Sequence, residues 1–370
     1  MKKIAILIGC NLSKNFLKNK STNIGAVLNT WRKLIGDTFD MEIISCHAPP
    51  DFLKKHYKVH QSSKWCNLPV PKLLKDFGMC FNYAKQCHPD LFLHISNPHR
   101  DGLVICLVGK LLSIPVLVRC TGDTYSRYKV YPPGIPKLKA MASMIFSHMA
   151  YSCASRTVCL GPIMRNRLLQ KTSRPVDILP TPVNLGLFSP VQEEEKAVLK
   201  KAINVPPNKI LVLFVGRLEK LKGSDRLLNI IQSVNKNRRD YFFGIIGEGP
   251  DAKKLKKIKT GVRMFGNVAH SDMPRFYQAA DVLILPSRSE GMPNVILEAL
   301  ACGTPVLATS VGEISSVVSN ICRTNKNFVD CLLKRDWRTD KLPENYDWQS
   351  IKQQYIRTIN ETIEKAKHGH

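Results

Sequence analysis

The chain has 370 residues, 44% hydrophobic and 23% charged, which excludes a disordered chain and suits two domains of about 150–200 residues better than one core. Its 55 Lys and Arg against 29 Asp and Glu give a formal charge of +26, with 26 basic and 9 acidic residues in 1–190 against 29 and 20 in the rest. That asymmetry turns the N-terminal half toward a polyanion (nucleic acid, a phosphorylated substrate or an anionic membrane surface), with a lysine-rich background composition as the plain alternative.

Taken in chain order, short apolar runs alternate with helical patterns. The start, MKKIAILIGCNL, has the charge and apolarity of a leader, but its apolar stretch covers only 4–10 and reads as a first strand at 3–9. Further strands are expected at 41–45, 91–95, 116–119, 157–160 and 176–179, separated by helices at 22–35, 72–85, 102–112, 137–154 and 162–170. The basic, aromatic stretch 52–68 reads as an interfacial element or a solvated loop. The apolar run 102–118 is broken by Lys110 and Pro115, so no segment reaches the ~20 residues of a spanning helix. After a proline-rich boundary at 180–195, strands are expected at 210–215, 242–246, 262–265, 282–285 and 305–308, with helices at 224–235, 251–258, 272–279 and 293–301. Ile351, Tyr355, Ile359 and Ile363 form one stripe of a terminal helix. Continuous apolar strands between helices predict α/β architecture: two doubly wound, parallel-stranded domains, at 1–187 and 188–347, and a C-terminal helix at 348–370 packing across the junction. The twelve cysteines show neither C-x-x-C nor zinc spacing, which suits free thiols in a reducing cytoplasm.

Three strand-to-helix turns carry the chemistry. In VLILPSRSEGMPNVILEALACGTPV (282–306) a strand ends, a loop brings Glu290 and Gly291, and Pro293 takes the first helical position. The amides of Gly291, Met292 and Asn294 then face the end of the sheet where phosphorylated ligands bind, and Glu298 leans back toward it. In ILVLFVGRLEKLKGSDRLL (210–228) a strand ends at Gly216, Arg217 and Lys222 follow, and Ser224 is the expected N-cap. Two cations beside a helix start suit a diphosphate leaving group. The third turn is GIIGEGP at 244–250.

VGRLEKLKG and EGMPNVILEALACGTPV, the second carrying two glutamates separated by seven residues, Glu290 and Glu298, resemble the signature of the family-4 retaining glycosyltransferases (glycosyl transferases group 1), of the two-domain GT-B architecture. GNVAHSDMPRFYQAADVLILPS (266–287) and PTPVNLGLF near the boundary are similar to the same family. The resemblance implies two Rossmann-like domains facing a central cleft, and a nucleotide-sugar as substrate with no cofactor. It implies that Arg217 and Lys222 bind the donor diphosphate, Glu298 the ribose hydroxyls, Glu290 the transferred sugar, and the backbone at Val268 the base. The implied reaction moves a hexose-type sugar from a UDP- or GDP-sugar to a glycan or lipid-linked acceptor in cell-surface polysaccharide or glycoconjugate biosynthesis. On the acceptor side the chain departs from the family. The first loop offers only Gly25, and Thr121 stands where a histidine is usual, leaving His94, Arg119 and Asp123 as candidates.

The chain contains no D-x-D, the pair that holds a cation on the diphosphate in the other large glycosyltransferase architecture, so no metal is expected. A cytoplasmic enzyme, peripheral on an anionic membrane face through 14–20 and 52–58, accommodates the basic N-terminal half. The competing readings are a GT-B nucleotide-sugar epimerase, a basic nucleic-acid-binding protein, and a dehydrogenase. The last is disfavoured because KKIAILIGCNLSKNF lacks G-x-G-x-x-G. Nucleic acid is not expected as a partner, since no helix-turn-helix signature, zinc spacing or aromatic ladder occurs.

Overall fold

The computed structural model describes residues 1–9, 23–45, 55–62, 65, 68–258 and 260–368. The chain divides into two compact units, Met1–Leu179 with Gln349–His370, and Pro180–Trp348. The division falls at Leu179/Pro180, ahead of the expected 187/188, and the residues after Trp348 group with the first unit.

In the first unit the strands are β1 (Lys3–Gly9), β2 (Asp40–Ser45), β3 (Lys58–Gln61), β4 (Leu91–His94), β5 (Val116–Cys120), β6 (Arg156–Cys159) and β7 (Val176–Ile178). They form a parallel sheet in the order β3-β2-β1-β4-β5-β6-β7. Its helices are α1 (Asn23–Ile35), α2 (Lys72–Cys87), α3 (Arg100–Leu112), α4 (Ile135–Cys153) and α5 (Pro162–Leu169). Every residue of β4 and β5 is buried, as continuous apolar runs between two helical layers require. The edge strand β3 was not expected, because KVHQ has no apolar run; it is set by pairing, with Val59 opposite Ile43. It lies in the basic stretch 52–68, of which 52–54, 63–64 and 66–67, like all of 14–20, fall outside the described residues.

In the second unit α6 (Glu193–Ala202) precedes β8 (Ile210–Val215), α7 (Ser224–Asn237), β9 (Tyr241–Ile246), α8 (Ala252–Leu255), β10 (Val262–Gly266), α9 (Met273–Ala279), β11 (Val282–Leu285), α10 (Asn294–Ala301), β12 (Val306–Ala308) and α11 (Asn325–Lys334). The sheet is parallel, in the order β10-β9-β8-β11-β12. The expected helix at 251–258 is only the single turn of α8, whose sequence AKKL offers one buried anchor, Leu255. The acidic end of the proline-rich segment opens α6 instead of a loop, with Glu193, Glu194 and Glu195 favourably placed in its first turn.

The last helix, α12 (Trp348–His368), keeps the expected stripe: Ile351, Tyr355, Ile359 and Ile363 are all buried. Tyr355 donates to the Leu179 carbonyl at 3.1 Å and meets Trp31 of α1 edge-on at 4.9 Å. Among the described residues, no helix is long and apolar enough to cross a membrane.

Candidate active site

Strand order reverses between β8 and β11, which pair through Val282 with Val212 and Leu283 with Leu213. At such a switch point the two connections leave toward opposite faces and open a crevice at the carboxyl ends of the strands. Lys222 and Glu290 lie in these two connections. The Lys222 ammonium donates to both Glu290 carboxylate oxygens, at 2.7 and 2.6 Å, and the Ser287 hydroxyl donates to one of them at 2.8 Å. Glu290 is 8% exposed; a polar group so far from water is costly to bury without partners of this kind.

Further contacts fix the loops on each other. The Arg288 guanidinium grips both Asp225 oxygens at 2.6 and 2.7 Å and the Lys220 carbonyl at 2.7 Å, and its amide donates to the Leu221 carbonyl at 2.9 Å. Hydrogen bonding from Arg288 holds the Asp225 carboxyl below its usual range. Gly223 adopts φ +75°, and a Cβ there would stand 2.1 Å from the Pro286 carbonyl oxygen, so only glycine lets the two loops touch. Gly223 also takes the N-cap position expected of Ser224, whose hydroxyl donates instead to Asp251 at 2.5 Å.

Glu298 sits on α10, with the Tyr277 hydroxyl donating to one carboxylate oxygen at 2.8 Å and His270 Nε2 lying 2.9 Å from the other. Burial, then the Glu298 charge, pushes the Tyr277 phenol well above its ordinary value, which keeps it a donor. Phe188 packs edge-on against His270 at 5.3 Å and so holds its ring. Val268 is half-buried two residues before His270, in the connection after β10. Ser287, His270 and Tyr277 escaped sequence reading as site residues, although all three stand inside the stretch 266–287 that carried the resemblance.

The other expected donor-side residues follow from the backbone. Pro293 is the N-cap and Asn294 the first helical residue, one position later than expected, because Pro293 keeps an extended ψ of 124°. Gly291 and Met292 are buried in the turn before it, and the Gly291 carbonyl accepts from the Glu313 amide at 2.8 Å. The Gly216 amide is taken by the Ile246 carbonyl at 3.0 Å. Arg217 is not drawn into the Lys222–Glu290 pair: its side chain is 71% exposed and contacts Glu219 at 3.1 Å.

In the first unit, residues following β4 and β5 come together. Asn97 accepts from the Thr121 and Gly122 amides at 2.7 and 3.0 Å. His94 is buried with Nδ1 at 2.9 Å from the Ser96 carbonyl, and burial lowers its pKa. Asp123 accepts from the Ser126 amide at 3.1 Å and pairs with Arg167 at 2.8 Å. Arg119 instead turns into the core, its guanidinium 5.7 Å from the Trp31 ring centre. Gly25 lies in α1. Beside Asn97 opens a cavity of about 320 Å³, lined also by His99, Thr124, Arg127, Lys139 and Ser143. Sequence reading missed it, because its walls come from segments far apart in the chain.

Residues 195–329 match the family model described as glycosyl transferases group 1. The chain is 29% identical over 234 residues to the putative teichuronic acid biosynthesis glycosyltransferase TuaC of Bacillus subtilis (strain 168), covering 63% of this chain and 56% of that one. It is similar in fold to sucrose-phosphate synthase from Thermosynechococcus elongatus, with a TM-score of 0.73 and 17% identity over 98% of this chain and 99% of that chain. It is likewise similar to Anabaena Alr3699/HepE in complex with UDP, with a TM-score of 0.71 and 16% identity over 98% of this chain and 100% of that chain. The chain spans about half the length of the curated relative TuaC. The two parallel sheets with flanking helices are those of the GT-B fold.

Proposed function

We propose that the chain is a retaining glycosyltransferase, because residues 195–329 match the family model described as glycosyl transferases group 1. It takes a hexose-type sugar from a UDP- or GDP-sugar and delivers it to a glycan or lipid-linked acceptor. The observation that carries this reading is the Lys222–Glu290–Ser287 cluster at the β8/β11 switch point, with the doubly bonded Glu298 on the helix that follows.

Each group has a task that its surroundings suit. Lys222, 27% exposed at its side chain, exchanges its Glu290 partner for the diphosphate and neutralises the charge that grows as the sugar leaves. Arg217, on its exposed side chain, closes over the same phosphates. Glu290, released from Lys222 but still held by Ser287, accepts from sugar hydroxyls. Glu298 has lone pairs left beyond those used by Tyr277 and His270, and these accept the ribose hydroxyls. Two cations on the diphosphate make a metal ion unnecessary. The UDP held by the Anabaena protein and the teichuronic acid in the name of the Bacillus relative favour a uridine nucleotide and a cell-surface glycan made in the cytoplasm.

Thermal shift against UDP, GDP, ADP and their sugars, in EDTA, tests the reading. One nucleotide should raise the melting temperature by mass action and its sugar form more so. A chain that none of them stabilises, or that each stabilises only when a divalent cation is restored, is not the enzyme described. Acceptor-dependent release of the nucleotide separates transfer from epimerisation.

A further inference from the structure

Helix α4 is inside out. An ordinary surface helix turns its apolar stripe to the core. Here Ile135, Leu138, Met141, Ile145 and Met149 follow one another at three- and four-residue steps along one face, and each is between 37% and 67% exposed. The opposite face is buried at Ser147, Ala150 and Tyr151. Its serines point inward: Ser143 Oγ lies 2.5 Å and Ser147 Oγ 3.4 Å from His99 Nδ1. Helix α3 packs against α4 and adds Leu107 and Leu111, four residues apart and also exposed. Among the described residues, seven of the twelve exposed large hydrophobics lie on these two helices, so the patch is a cluster and not the usual scatter.

The charge beside the patch has one sign. Residues 124–176 contain nine Lys and Arg and no Asp or Glu. Lys110, Arg127, Lys129 and Lys139 are exposed on and next to the two helices. We propose that this face of α3 and α4 docks on the surface of an anionic lipid bilayer, with the aliphatic side chains in the acyl boundary and the lysines and arginines among the headgroups. The occupant is chosen by both halves of the pattern. A second copy of the chain would bring the same acid-free, basic surface to a two-fold interface and set like charges together. A nucleic acid would suit the lysines but has no place for five aliphatic side chains. A bilayer surface takes aliphatic burial and cationic contact at once. The inference rests on α3, α4 and the basic residues beside them, and does not depend on the transferase reading.

The test is co-sedimentation of the full chain with vesicles of phosphatidylcholine alone or with about 30 mol% phosphatidylglycerol. Binding should require the anionic lipid and weaken as salt rises. Leu138→Glu with Ile145→Glu should lower the partition coefficient at least about tenfold, and Lys110→Gln with Lys129→Gln roughly tenfold at low salt. Leu138→Ser with Ile145→Ser provides a gentler pair if the glutamates disturb folding, read from an unchanged melting curve. Ile145→Trp places an indole on the face, which brominated lipid should quench beyond the native background. Failure to bind anionic vesicles overturns the inference. So does wild-type binding by the Leu138/Ile145 variants, or vesicle binding without quenching of the introduced indole. Self-association that Leu138→Ser with Ile145→Ser abolishes would give the face to a second copy instead, and would equally overturn it.

Discussion

The two units are built on the same plan, a parallel sheet whose strand order reverses beside its first strand, yet they fill the strand ends with different chemistry. In the second unit the ends hold charges already in pairs, Lys222 with Glu290 and Arg288 with Asp225, and the Glu298 carboxylate held by His270 and Tyr277. In the first unit the ends of β4 and β5 hold mostly neutral groups, with a single ion pair, Asp123 with Arg167, beside them. Asn97 gathers two backbone amides, and His94 and His99 have pKa values lowered by burial. Exposed positive charge stands nearby on Arg127, Lys129 and Lys139, the first and last of which also line the cavity beside Asn97. Pre-paired charges suit a ligand that is itself charged and polar, because the groups are oriented before it arrives. The partly enclosed cavity of the first unit, walled by Asn97, His99, Thr124 and Ser143 as well as Arg127 and Lys139, suits selection by shape and hydrogen bonding with cations at hand. The topology is shared; the division of labour comes from which side chains stand at the strand ends.

The largest effect should come from breaking the charge network of the second unit. Lys222→Ala removes a cation already fixed within 2.7 Å of Glu290 and should lower turnover about 10²–10³ fold. Arg217→Ala should cost less, about tenfold, because the exposed Arg217 must first be drawn in. Single-turnover rates with saturating donor, in EDTA, measure both. Equal losses would mean that the side-chain arrangement of the resting site has no bearing on catalysis, and the contrast between a cation held on Glu290 and an exposed one would fall.

A smaller effect sharpens the roles of the two glutamates. Glu298→Gln replaces a carboxylate oxygen by an amide donor beside Tyr277 and His270, and should weaken both nucleotide and nucleotide-sugar about tenfold. Glu290→Gln should leave bare nucleotide affinity within about twofold and weaken the sugar form about tenfold. Calorimetry with each ligand separates them. If both variants lose both ligands alike, the network acts as one unit and the assignment of sugar and ribose to separate carboxylates fails.

The unevenness between the units also governs what was legible beforehand. The second unit's five strands and its paired glutamates stand in contiguous segments, where a buried strand, a glycine turn and a helix follow one another in the chain. Pairing across the site is harder to read: Ser287, Tyr277 and His270 act by reaching a carboxylate 3 to 28 residues away. In the first unit, Arg119 ends an apolar strand much as a functional residue would, but Trp31, far away in the chain, draws it into the core. β3 escaped because its identity is its pairing with β2, not its composition. The outward stripe of α4 escaped for the opposite reason. Periodicity announces a helix with an apolar face, and only the packing of Ser143 and Ser147 on His99 tells that the face turns away from the core.

The smallest effect, and the one that separates the units most cleanly, is their response to acid. Burial, with help from His94 and Arg127, pushes the His99 pKa down from 6.5 to about 4. The unfolded chain therefore takes up this proton near 6.5 while the folded unit refuses it until about 4. Stability from this group is whole above 6.5 and is lost progressively as pH falls toward 4. His94 shifts in the same direction for the same first cause. In the second unit, hydrogen bonding from Arg288 lowers the Asp225 pKa, so that contribution is present above the ordinary carboxylate value and is lost only below about pH 4. Between pH 7 and 5 the first unit should thus weaken while the second holds, with a drop of about 2–4 °C in its melting temperature. Hydrogen exchange, corrected for the intrinsic pH dependence of amide exchange, should find protection falling in peptides of β4 and β5 and unchanged in those of β8 and β11. His99→Asn keeps a polar partner for Ser143 but cannot take up the proton, and should flatten the response of the first unit. Protection that falls in both units together, or in the second unit first, would break the contrast between neutral and charged strand ends.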